Sequence, residues 1–198
     1  MPPKTVPDDG PLDAQLVVVG EAPSTVEVAR RRPFVGPSGG KLAEWWKRPD
    51  VNIQRRDVYI TNVIPYMVQK IPRGGVHGID ITVQAWNEAV TELHARLAAL
   101  SAPSLIVAVG DIALQALRGH GGVLKWRGSL LVYEPLGVRL LPTVHPAALF
   151  RDPSLERRCI ADWQKIAKEL RNPSPETWKE AKHHIAPRRL LRGRRRGW

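Results

Sequence analysis

Three short apolar runs, followed by a shorter hairpin pattern, set the rhythm of the chain. Leu16-Val17-Val18-Val19, Val58-Tyr59-Ile60-Thr61-Asn62-Val63-Ile64 and Leu105-Ile106-Val107-Ala108-Val109 are rich in β-branched residues, and Gly20 and Gly110 close the first and third. Runs of this length and composition predict buried strands. Residues 130–133 and 138–141 flank Glu134-Pro135-Leu136-Gly137, a turn signal, and predict a hairpin whose second arm ends at Val144-His145-Pro146.

Helical spacing fills the intervals. Ser38-Gly39-Gly40 opens a helix over residues 41–48. Asp80 is the expected cap of a long helix to about residue 100, with Ile81, Val83, Trp86, Val90, Leu93 and Leu97 near helical period. Asp111 is expected to cap a helix carrying Ile112, Leu114 and Leu117. Residues 147–151 begin a short helix, and Ser154 is expected to cap the last long one, to about residue 170. Strands alternating with helices predict an α/β fold: three layers, α/β/α, around a mostly parallel four-stranded sheet. Residues 1–14, with four prolines, are expected to be an extended lead-in without a core role. The domain is expected to span residues 1–170.

Composition changes this picture in two ways. The 198 residues carry a formal charge of +11, which favours a polyanionic partner, nucleic acid before an anionic membrane surface. Most of that excess, +7, lies in residues 171–198, a basic tail expected to be either solvated or a nonspecific phosphate-binding arm, with one short helix around 176–184. Cys159 is the only cysteine, which excludes an intrachain disulfide and a cysteine-based metal cluster. No apolar run is long enough to span a membrane, and residues 1–15 lack a signal-peptide core, so a cytoplasmic, nucleoid-associated monomer is expected.

The chemistry is expected where the strands end. In a parallel sheet the loops after successive strands gather on one edge, which would bring together Glu21, Phe34, Asn62 and His145. An aromatic face, a carboxamide and an imidazole suit a planar heterocycle: the ring stacks, the amide pairs with the base edge, and the histidine donates to an oxygen gaining negative charge. Taken singly, each has a plainer explanation. Phe34 fits a core plug, Asn62 a turn or cap, His145-Pro146 a structural pair, and Glu21 a tie for loop amides. The first loop lacks the Gly-Lys-Ser/Thr ending of a P-loop and the full spacing of a dinucleotide fingerprint.

Taken together the motifs resemble a known family. Gly20-Glu21-Ala22-Pro23, Glu27, Arg32-Pro33-Phe34-Val35-Gly36 and Gly39 are similar to the first motif of the uracil-DNA glycosylase superfamily, most closely its iron–sulfur-containing family 4. Val58-Tyr59-Ile60-Thr61-Asn62 is similar to the strand bearing the base-reading asparagine. Residues 105–110 and Trp126-Arg127-Gly128 match in order and spacing. The run from Thr143 through His145-Pro146-Ala147-Ala148-Leu149-Phe150-Arg151 to Pro153 is similar to the second motif. The resemblance covers residues 15–170.

It implies a monofunctional enzyme that flips a base out of DNA and hydrolyses its glycosidic bond. Phe34 would stack on the base, with Gly20 and Ala22 against it. Asn62 would pair with N3–H and O4, and His145 would stabilise O2 of the leaving base. Glu21 and the backbone amides near residues 20–22 would help hold the water or the base. An aspartate general base is replaced by Ala22, so leaving-group stabilisation would carry the reaction. Arg30, Arg31, Arg32, Lys125, Arg127, Pro146 and Arg151 are the expected DNA contacts. The family's four cluster cysteines are missing, so no iron–sulfur cluster is expected, with Tyr66 and Trp86 filling in by packing. Ser24 and Val28 depart from the motif, which admits an altered, phage-type base as substrate, or a member that binds DNA without turnover.

Overall fold

A computed structural model describes residues 3–71 and 75–173. The apolar runs become strands because an unbroken β-branched series is shielded on both faces only inside a covered sheet. Strands β1 (Leu16–Gly20), β2 (Val58–Asn62) and β3 (Leu105–Val109) are buried at every position. β1 pairs in parallel with β2 and β3, and β3 with β5 (Val138–Thr143). The sheet has five strands rather than the expected four, in the order β2-β1-β3-β5-β4. The extra one is β4 (Leu131–Tyr133), the first arm of the hairpin, which pairs antiparallel with β5 at the edge.

Alternation along the strands divides the core in two. Val17, Val19, Ile106 and Ala108 face α3 (Val83–Ala98) and α4 (Asp111–Arg118). Leu16, Val18, Leu105, Val107 and Val109 face α2 (Pro37–Trp46) and α6 (Glu156–Arg171). That is the three-layer arrangement expected from a helix after each parallel strand.

Several boundaries differ from expectation for local reasons. The first loop contains a helix, α1 (Thr25–Arg30), stabilised where Glu27 accepts from the Ser24 amide and hydroxyl, each at 2.7 Å. Thr82, not Asp80, caps α3, its hydroxyl accepting from the Ala85 amide. Gly110 is the cap of α4, while the Asp111 carboxylate holds the amides of Gly122 and Val123 at the start of α5 (Val123–Trp126). Residues after His145 form a 3-10 turn (Pro146–Phe150), and Asp152, not Ser154, caps the next one (Pro153–Leu155), which leads into α6. The expected helix around 176–184 and most of the basic tail lie outside the described residues.

The largest correction concerns the lead-in, which does have a core role. It runs antiparallel along β2, bridging Thr5 to Tyr66 and Asp9 to Ile60, and it buries Val6 and Ala14. Gly10, at φ +115°, lets the two backbones touch: a Cβ there would lie 2.0 Å from the Val58 carbonyl oxygen.

Candidate active site

The parallel pairing places Gly20 opposite Asn62 at the carboxyl ends of β1 and β2. Positions 16, 18 and 20 of β1 point to the α2 face, as do 58, 60 and 62 of β2. The two side-chain walls therefore meet over a glycine. A Cβ on Gly20 would lie 2.4 Å from Asn62 Oδ1 and 2.7 Å from two ring carbons of Phe34. Asn62 is buried, and among the described residues nothing hydrogen-bonds its carboxamide, so the amide is available to a ligand.

Phe34 is held in an unusual way. Its backbone is left-handed, at φ +51°, which few non-glycine residues adopt without surrounding support. Arg55 supplies that support by donating to the carbonyls of Phe34 (3.1 Å) and Pro33 (2.6 Å). Gly39 completes the seat, because a Cβ there would lie 1.9 Å from the Phe34 carbonyl oxygen.

His145 follows β5 and faces the Phe34 ring, centroid to centroid 5.9 Å at 33°. Its Nδ1 accepts from the Ala147 amide at 3.1 Å. The ring proton is therefore assigned to Nε2, which leaves a donor free for a ligand. Burial pushes the imidazole pKa below 6.5, Glu21 and Glu27 pull the other way, and Lys70 adds to the lowering. The histidine is neutral at pH 7. Glu21 itself pairs with Lys70 from the loop after β2, and its backbone carbonyl accepts from the Ile64 amide.

A floor aromatic, a buried carboxamide and a neutral imidazole donor thus share one edge of the sheet. The family model described as Uracil DNA glycosylase superfamily matches residues 7–171. The chain belongs to that superfamily. A type-4 uracil-DNA glycosylase of Archaeoglobus fulgidus is 30% identical over 168 residues, covering 81% of this chain and 79% of the relative. One from Thermotoga maritima is 30% identical over 161 residues, covering 77% and 74%. A DNA polymerase of Bacillus phage SP01 is 25% identical over 180 residues, which is 88% of this chain but 18% of the polymerase.

The residues of this superfamily member do not fit the iron–sulfur cluster of family 4. One cysteine cannot supply four thiolates, and Cys159 is buried in α6, where burial pushes its pKa up to about 11. Among the described residues no three His, Cys, Asp or Glu side chains are grouped to hold a metal. Tyr66 and Trp86 both pack in the core layer between β2 and α3, and the His77 ring sits edge-on to Trp86 at 4.7 Å.

The expected DNA contacts divide. Arg31, Lys125 and Arg151 are exposed, with the Lys125 ammonium 5.4 Å from the centre of the Trp126 ring. Arg30 is exposed and donates to the Val35 carbonyl. Arg127 is instead structural. Its guanidinium grips Asp162 at 2.7 and 3.1 Å and the Arg158 carbonyl, and Asp162 also accepts from Thr143 in β5. Arg32 is committed to Asp9 at 2.9 Å. Pro146 is buried, and the exposed side chain of its turn is Phe150. Sequence reasoning passed over Asp8, Asp9, Arg55, Arg96 and Lys70. The only available signal was the Asp-Asp pair between Pro7 and Gly10.

Proposed function

We propose that the protein is a monofunctional DNA glycosylase that flips uracil out of DNA and hydrolyses its N-glycosidic bond, leaving an abasic site. The observation that carries this reading is the junction of Phe34, Asn62 and His145 over Gly20. Phe34 stacks on the pyrimidine. The Asn62 carboxamide accepts from N3–H and donates to O4. Cytosine would leave those buried groups mispaired, which disfavours it. As the glycosidic bond lengthens, negative charge collects on O2 of the leaving base, and His145 donates its Nε2 proton in a hydrogen bond to that oxygen. A neutral imidazole suits this task because it is already oriented by the Ala147 amide and need not lose a proton first. Water then adds to the oxocarbenium-like sugar. With Ala22 where an aspartate base would stand, leaving-group stabilisation carries the rate, and Glu21 helps place the water.

The enzyme acts as a monomer and without an iron–sulfur cluster. Exposed Arg30, Arg31, Lys125 and Arg151, with the basic segment beyond residue 173, contact phosphates. Incubation with oligonucleotides bearing one uracil or one modified pyrimidine, followed by alkali, tests the activity. Strand cleavage at uracil that is abolished by His145→Ala is expected. Cleavage only at a modified base would reassign the substrate, and tight binding without cleavage on any substrate would refute glycosylase activity. Iron and sulfide analysis of the purified protein tests the cofactor.

A further inference from the structure

The two walls of the base pocket are tied to adjacent residues of the lead-in. Because the lead-in is extended along β2, consecutive side chains point to opposite layers of the fold. Asp8 turns toward α3. It accepts from the Tyr59 hydroxyl (2.5 Å), the Thr61 hydroxyl (2.5 Å) and Arg96 (2.8 Å). Arg96 in turn donates to the Asn62 carbonyl at 3.0 Å and to the Thr61 hydroxyl. Asp9 turns toward the other layer. It accepts from Arg55 at 2.6 and 3.1 Å, and the same guanidinium holds the carbonyls of Pro33 and Phe34.

We propose that Asp8 and Asp9 are positioning residues for base recognition, Asp8 acting through Arg96 on Asn62 and Asp9 through Arg55 on Phe34. This rests on the glycosylase reading. Among the described residues neither carboxylate hydrogen-bonds Asn62 or Phe34 itself. Each orients a planar, multiply donating guanidinium, which lysine cannot reproduce. Phe34 needs such a hold because its left-handed backbone is costly without one. Asn62 needs it because its carboxamide has no hydrogen-bond partner among the described residues. Burial would raise the Asp9 pKa, but hydrogen bonds and charge from Arg32 and Arg55 more than offset it, so Asp9 stays ionised.

Four double-mutant cycles on the full chain test this, two against Asn62 and two against Phe34. The readouts are single-turnover uracil release from a single-stranded oligonucleotide, inhibition by free uracil, and affinity for an abasic oligonucleotide. Asp8→Asn and Arg96→Lys are each expected to slow release by about tenfold or more, the scale that sub-ångström misplacement of a reacting group produces. Free-uracil inhibition weakens in parallel, abasic-DNA affinity holds, and the loss vanishes in an Asn62→Ala background. Asp9→Asn and Arg55→Lys behave likewise against Phe34→Ala. Thr61→Ser is expected to retain the parent rate and isosteric Thr61→Val to follow Asp8→Asn, which keeps the inference falsifiable if an arginine variant fails to fold. Additive cycles, or equal loss of abasic-DNA affinity and uracil inhibition, would overturn the inference while leaving an active parent. A parent chain that releases no uracil would overturn the reading and the inference together.

Discussion

Replacing Gly20 by alanine is the most direct probe of the pocket. The new methyl would sit 2.4 Å from Asn62 Oδ1 and 2.7 Å from Phe34 Cε2 and Cζ, whereas ordinary contact begins at 3.4 Å. The amide must therefore retreat by about 1 Å or the ring must swing out, and a displacement of about 1 Å costs on the order of 100-fold in rate. Overpacking a well-filled site costs about 1–3 kcal/mol. The low end is expected, because a side-chain ring and amide give way more easily than backbone. Gly40 in α2 supplies the control. A Cβ there meets nothing within 4 Å, so Gly40→Ala leaves activity intact and stabilises the helix by roughly 0.5–1 kcal/mol. Single-turnover release of uracil and thermal melting of both variants give the comparison. A Gly20→Ala protein that keeps the parent rate would refute the placement of Asn62 and Phe34 as the walls that grip the base.

Other expectations follow from the same geometry. Because burial lowers the His145 pKa, the neutral imidazole persists below pH 6.5. The rate should hold through pH 6.5 and fall only at more acid pH, when protonation also breaks the bond from the Ala147 amide. A pH–rate profile already declining above 6.5 contradicts this. Arg127→Ala strands Asp162, whose side chain is 3% exposed, and should cost about 3–5 kcal/mol in a denaturant melt. If it weakens DNA binding without loss of stability, Arg127 is a phosphate contact after all. Phe150, at the end of the turn that follows His145, is 60% exposed. Phe150→Ala should change stability by no more than about 0.5 kcal/mol while slowing uracil release from duplex more than from single strands. Equal effects on the two substrates would contradict a duplex-specific role for this side chain. Truncation after Pro173 should weaken DNA binding and reduce the salt slope by roughly 0.9 for each phosphate that the shortened chain no longer neutralises. A changed base preference would instead place the tail in the pocket.

What the chain determines by itself is local, or repeats along it. Unbroken β-branched runs require a sheet covered on both faces, and glycines after strands mark where a ligand can approach. From these the layers, the parallel core of the sheet and the meeting of Phe34, Asn62 and His145 were legible, the last with the help of family motifs. Charges were less legible. Arg32 and Arg127 look like phosphate contacts in a basic sequence, yet each is spent on an aspartate: Asp9, 23 residues away, and Asp162, 35 residues away. A guanidinium looks the same in sequence whether it faces solvent or a buried carboxylate, and only the fold decides its partner. The lead-in shows this most clearly. Its prolines suggested an idle tether, but backbone pairing with β2 is a long-range contact with no local periodicity to announce it. That pairing, made possible at Gly10, carries Asp8 and Asp9 to opposite layers and through their arginines to the backbone carbonyls of Asn62 and Phe34.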